Sequence, residues 1–167
     1  MEAYNQFKKR SSCEIGEEVR FGYYNIVEPH VRIGYKTKIE HHCVIKKGTE
    51  IGRHCVIESG TKFSGDCSIG DNCHLKQNVV IARQVVIREN VFISPNVVFL
   101  YADHKLETGY SSTLVDSDVF IGAGAIFMPG VAISRGVVIG AGALVTKDCE
   151  EENGIYIGSP ARFYKFK

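Results

Sequence analysis

Large apolar residues return along this chain every six positions. Written in sixes, residues 115–150 read VDSDVF IGAGAI FMPGVA ISRGVV IGAGAL VTKDCE, with blocks opening on Val115, Ile121, Phe127, Ile133, Ile139 and Val145. A small residue follows four places on, at Val119, Ala125, Val131, Val137, Ala143 and Cys149. The same frame fills residues 15–98, through the openers Ile15, Phe21, Val27, Ile33, Ile39, Ile45, Ile51, Ile57, Phe63, Ile69, Leu75, Ile81, Ile87 and Ile93. All 20 openers are aliphatic or Phe. Only about a third of ordinary sequence is large and apolar, so chance does not produce such a run.

Inward and outward positions alternate within a block, as in a short strand, but a turn signal recurs every six residues. The fourth position is Gly, Asn, Asp or His in 16 of the 20 blocks, and these are the residues that tolerate positive φ. Each block therefore predicts one short strand closed by a left-handed corner. Three blocks make a triangular coil of 18 residues, and coils stack at about 4.8 Å. The predicted fold is all-β, a parallel β-helix of about seven coils with the openers buried in ladders.

The frame breaks once. Phe99 would open the next block, but Asp103 stands where a small apolar residue is required, and the pattern resumes at Val115 instead of position 105. Ten residues are thus inserted within about residues 100–114, LYADHKLETGYSSTL. The expected organisation is a lead-in over residues 1–14, packing on the first turn or on a neighbouring subunit, the β-helix with its insertion over 15–150, and a tail over 151–167. In the tail, Ile155, Ile157, Phe163, Tyr164 and Phe166 are expected to cap the last coil. An excursion that cannot join so regular a stack is the natural place for chemistry.

Composition narrows the function. A net charge of +1 without any long Lys/Arg run argues against a nucleic-acid surface or a polybasic membrane patch. No apolar run approaches the roughly 18 residues that span a bilayer, and the N-terminal stretch has no signal-peptide core. The expectation is a soluble, cytoplasmic protein. Cys13, Cys43, Cys55, Cys67, Cys73 and Cys149 all fall on the fifth position of a block. There they fill the slot that Val, Ala and Thr hold elsewhere, as free thiols suited to a reducing compartment and not as metal ligands.

His104 is the one histidine on the insertion. His30, His42 and His54 take corner positions, where their 12-residue spacing sends them to three different edges of the coil and away from any shared metal. His41 and His74 occupy outward or edge slots. The segment ISPNVVFLYADH, residues 93–104, resembles the approach to the catalytic-histidine loop of the hexapeptide-repeat acetyltransferases, the family of the galactoside, maltose and xenobiotic enzymes. Residues 120–148, FIGAGAIFMPGVAISRGVVIGAGALVTKD, and GSPAR at 158–162 resemble that family's C-terminal coils and CoA-binding tail.

The resemblance implies a left-handed β-helix, against the usual right-handed rule for parallel crossovers. It further implies a homotrimer that holds acetyl-CoA in a groove between subunits, with no metal, and His104 as general base on an acceptor hydroxyl or amine. An imidazole can take that proton and return it to the departing thiolate, while a backbone N–H stabilises the oxyanion. Gly122, Ala123, Gly140 and Ala141 would lie along the pantetheine arm, although corners and narrow walls need the same residues. Thr146, Lys147 and Arg162 match positions near the nucleotide end, where cations meet phosphates, with Lys165 and Lys167 in support. Asn78 roughly matches an acceptor-binding asparagine, but the longer N-terminal segment that helps form the acceptor pocket in the galactoside and maltose enzymes has no counterpart here.

The reading that follows is an acyl-CoA-dependent acetyltransferase acting on a sugar or nucleotide-linked sugar in surface glycan synthesis. Transfer to an antibiotic or other xenobiotic is the alternative. A γ-type carbonic anhydrase would need a second histidine five residues after His104, where Gly109 stands. A non-catalytic β-helix scaffold would bind no CoA.

Overall fold

The computed structural model describes residues 12–101 and 112–167, and within them 23 strands form three sheets of seven, nine and seven strands. The architecture is a left-handed parallel β-helix of about seven coils. The first face runs from Glu14–Ile15 to Ala132–Ile133, the second from Arg20–Phe21 to Val138–Ile139, and the third from Ile26–Val27 to Leu144–Val145. Openers stack on openers: Ile15 lies beside Ile33, Ile33 beside Ile51, and Ile69 beside Ile87. Across the break the offset grows from 18 to 28 residues on every face, with Ile87 beside Val115, Ile93 beside Ile121 and Phe99 beside Phe127. The stack regains its frame after ten additional residues.

The corners carry the strain of this design. Every fourth-position residue from Glu18 to Gly142 in the described blocks has positive φ, including Glu18, Tyr24, Lys36 and Gln84, whose residue types do not announce it. A left-handed corner costs such a residue roughly 1–2 kcal/mol, and the stacked ladders above and below hold it there. Asp148, although it reads as a corner, is not among them. Its block ends the helix, where Cys149 forms a lone bridge to Ile133.

Inside, the openers and the small fifth-position residues form continuous columns. Phe63, Phe99 and Phe127 are fully buried on the third face. Threonines in the fifth slot remain satisfied, as where Thr37 donates to the Gly52 carbonyl at 2.7 Å and accepts from the Cys55 N–H at 3.0 Å. All six cysteines are free thiols, five of them buried and Cys13 half-buried. Burial pushes Cys43 and Cys67 up to about 11 and Cys149 up to about 12.

Raised thiols of this kind add stability below the unfolded value of about 8.5 and lose it as pH climbs toward the folded values. A thiol reagent at pH 8 is therefore expected to label Cys13 at most in the native protein, and all six cysteines in guanidinium. Unfolding should become easier above about pH 9. Rapid native labelling of more than one thiol would contradict the buried assignment.

The tail closes the helix by a route the hexads do not specify. Gly154–Ile157 pairs parallel with Val138–Ile139 on the second face, and Arg162–Phe166 folds back antiparallel against it. Ile139 pairs with Tyr156, 17 residues on instead of 18. The register thus slips by one, and the residue turned inward is Tyr156, not Ile155 or Ile157. Tyr156 is buried and its hydroxyl accepts the Glu151 N–H at 3.0 Å, whereas Ile157, Phe163, Tyr164 and Phe166 stay exposed.

Candidate functional site

The three edges of the prism differ in what covers them. Between the first and second faces, side chains bind rung to rung: Tyr35 donates to Glu18 at 2.7 Å, Arg53 meets Asp71 at 2.8 Å, and Arg135 meets Asp118 at 2.8 Å. The Arg53 backbone N–H and guanidinium hold the Asp71 carboxyl below the usual carboxylate range.

The edge between the second and third faces is polar and aromatic at its lower end. There Tyr23 stacks on His41 with centroids 5.4 Å apart, the Tyr23 N–H donates to His41 Nδ1 at 2.9 Å, and the His41 N–H donates to Ser59 Oγ at 3.3 Å. Above Pro95 and Asn96 the same edge turns bare, carrying Ala123 and Gly124, then Ala141 and Gly142.

Small residues on this bare stretch have two distinct causes. A Cβ on Gly122 would stand 2.5 Å from the Ala141 nitrogen, and one on Gly140 would stand 2.8 Å from Ile157 Cγ2. Both glycines are there because the next layer needs the space. Gly124 and Gly142 have positive φ, at 68° and 67°, and a Cβ on either would meet nothing within 4 Å. Ala123 and Ala141 are exposed, and their N–H groups have no hydrogen-bond partner among the described residues. The result is an open track with two backbone donors, unpaired among the described residues, one coil apart, about 4.8 Å.

Asn78 belongs to this edge, two coils below Gly124, with its amide 3.4 Å from the Asn96 side chain. The structure thus aligns Asn78, Gly122, Ala123, Gly140 and Ala141. Thr146 and Lys147 are exposed at the opposite margin of the third face, and Arg162 is exposed on the returning tail strand. Lys165 and Lys167 lie further along the tail. His104 falls outside the described residues. The insertion departs beyond Leu100, whose N–H donates to Phe127 O at 3.0 Å, and the chain rejoins the stack where Thr113 N–H donates to Gln84 O at 3.1 Å. Both anchors lie at the third-to-first edge.

The upper coils beside the bare track are apolar outside as well as inside. The third face presents Leu100, Ile126 and Met128, exposed by 38–40%, and on the second face Phe92 and Phe120 stack with centroids 5.4 Å apart and planes at 3°. A shallow trough of about 820 Å³ runs instead along the first face, over Gly16, Gly34, Gly52 and Gly70. A Cβ on Gly34 or Gly70 would lie 2.6 Å from the next coil, so stacking accounts for that floor. Among the described residues no group of three His, Cys, Asp or Glu could hold a metal ion.

A family model described as GMPPB C-terminal domain matches residues 5–108, more than half of the chain. The chain belongs to the GMPPB C-terminal domain family. A second model, bacterial transferase hexapeptide (six repeats), matches residues 112–147, so the two matches meet across the insertion. A search of curated proteins gives no match.

Among solved structures, this member of the GMPPB C-terminal domain family is similar to the UDP-N-acetylglucosamine O-acyltransferase LpxA of Moraxella catarrhalis RH4. The TM-score is 0.69 at 20% identity, over 92% of this chain and 72% of that one. It is also similar to AntD, an N-acyltransferase from Bacillus cereus in complex with dTDP and 3-hydroxybutyryl-CoA, with TM-score 0.65, 19% identity, and coverage of 99% and 88%. A maltose O-acetyltransferase from Clostridium difficile 630 follows with TM-score 0.51, 22% identity, and coverage of 92% and 68%. At these identities the likeness is one of fold.

One feature of this GMPPB C-terminal domain chain escapes a reading by hexads. Glu58, His74 and Lys76 converge on the outer side of the second face, with His74 Nε2 and Lys76 Nζ at 2.8 and 2.5 Å from Glu58 Oε1. Outward polar positions carry no periodic signal of their own. The clue was the opposite charge of Glu58 and Lys76 at the same block position, 18 residues apart, which the coil places in contact.

Proposed function

We propose that the chain is an acyl-CoA-dependent acyltransferase that moves an acetyl group to a hydroxyl or amino group of a sugar or nucleotide-linked sugar. The observation that carries this reading is the bare track at Ala123–Gly124 and Ala141–Gly142. A pantetheine arm is narrow, and its amide carbonyls need donors, which the free N–H groups of Ala123 and Ala141 supply without side chains in the way. The three fold relatives are each described as an acyl- or acetyltransferase, and one is a complex with an acyl-CoA. In this reading His104 removes the proton from the acceptor, Arg162 and Lys147 meet CoA phosphates with Thr146 beside them, and Asn78 contacts the acceptor.

The assembly in this proposal is a homotrimer, with the apolar upper coils of the second and third faces packed against neighbouring copies. Such packing turns the open track into a groove and brings the insertion of one copy toward the track of the next. Cytoplasmic surface-glycan synthesis is the proposed setting, supported by the free thiols, which suit a reducing compartment.

Ala141→Phe tests the track directly. Ala141 is exposed and contributes nothing to the core, so the variant should melt with the parent while its affinity for CoA falls at least about tenfold in calorimetric titration, as expected for a blocked cleft. Unchanged CoA affinity would move the donor site elsewhere. A parent protein that shows no thermal shift with millimolar CoA would favour the scaffold reading.

A further inference from the structure

We propose that Glu58, His74 and Lys76 form the acceptor subsite, a carbohydrate-binding cluster in which His74 and Lys76 contact the sugar and Glu58 holds them in position. This rests on the acyltransferase reading above and assigns its acceptor end.

Glu58 is the one charged residue buried among the described residues, at 7% exposure, although it lies on the outside of the prism. Its Oε1 takes both Lys76 Nζ and His74 Nε2, while Oε2 is buried with no partner among the described residues. Burying a carboxylate half-satisfied is unfavourable. The stack does not require it, since the same block position is Glu40, Ser94 and Gly122 in other coils of this face.

The cluster's chemistry suits a ring bearing several hydroxyl or amino groups. A carboxylate oxygen only accepts, so Nε2 of His74 donates to it and Nδ1 is left for a polar group of the ligand. The Lys76 ammonium retains further N–H donors for hydroxyl oxygens. His74 and Lys76 side chains are 34% and 30% exposed, within reach of a ligand from solvent. Asn78 adds an amide three positions past the same strand. Phe92 meets the His74 ring edge-on at 5.2 Å and backs it on the side away from Glu58.

Position completes the argument. Lys76 shares its block position with Gly122, two coils above, and Asn78 shares its own with Gly124. The cluster therefore sits about 10 Å below the bare track, on the second face beside that edge, where an acceptor would approach a thioester laid along it.

The test uses the full chain labelled with ¹³C-histidine, the His74 imidazole signal being assigned through His74→Gln. Maltose, UDP-N-acetylglucosamine and dTDP-4-amino-4,6-dideoxyglucose are titrated separately to about 50 mM, a range that captures weak sugar affinities. At least one is expected to move the His74 signal saturably while those of His30 and His54, on other edges, stay still. Glu58→Gln should weaken that binding about tenfold, the scale of a misplaced buried partner. It should also raise KM for the sugar more than it lowers kcat, with CoA affinity unchanged. Lys76→Met replaces it if Glu58→Gln does not fold.

No movement of His74 with any of the three sugars, or parental sugar affinity in the Glu58 or Lys76 variant, overturns the subsite. CoA binding in the absence of any sugar effect sinks the subsite and leaves the donor reading standing. A sugar response without CoA binding does the reverse.

Discussion

His104→Ala is expected to lower acetyl-transfer turnover by at least about a hundredfold, the scale of a lost general base, while CoA affinity and melting temperature stay near the parental values. His104 lies outside the described residues, so the expectation rests on the resemblance of residues 93–104 and on where the chain leaves the stack. Leu100 and Thr113 anchor the insertion at the third-to-first edge, whereas the bare track occupies the second-to-third edge. The two lie at opposite margins of one face. In the proposed threefold assembly they would meet across copies, which adds a sharper consequence. Mixing inactive His104→Ala and Ala141→Phe subunits should restore part of the rate, because some interfaces then join an intact imidazole to an intact track. A His104→Ala enzyme as fast as its parent removes that residue from the chemistry. A mixture without recovered activity removes the shared site.

The frame of the fold was legible because a buried ladder leaves the same mark every six residues, and the 28-residue offset at Val115 could be read by simple continuation. Local residue type was a weaker guide. Tyr24 and Lys36 adopt left-handed corners since the stack demands a corner there, and Asp148 does not since the helix ends around it. The tail escaped the pattern because nothing in the hexads specifies the one-residue slip that turns Tyr156 inward. Of the candidate site, the two IGAG blocks were visible, but their glycines could not be sorted without coordinates. Gly122 and Gly140 make room for the layer above, and Gly124 and Gly142 open onto solvent. Glu58 stayed hidden because its partners Lys76 and His74 lie one coil away, at outward positions that look like ordinary polar surface.

Phe127→Ala is expected to destabilise the protein by about 3–5 kcal/mol, as deletion of a fully buried Phe does, against a typical total of about 5–15 kcal/mol. The ring is fully buried and stacks on Phe99 with centroids 4.4 Å apart at 14°. It is also the first buried aromatic rung of the third face after the insertion. A solenoid rung contacts only its neighbours, so the cavity left by alanine weakens the join between the coils before and after residues 102–111. Unfolding in urea should then split into two steps, with the coils from Thr113 onward exchanging amide hydrogens first and CoA protection lost with them. Phe127→Leu keeps most of the volume and should cost less than about 1.5 kcal/mol without the split. If Phe127→Ala unfolds in one step at the parental midpoint, the third-face column does not couple the coils after the insertion to the rest of the helix, and the order of unfolding must be set by the tail instead.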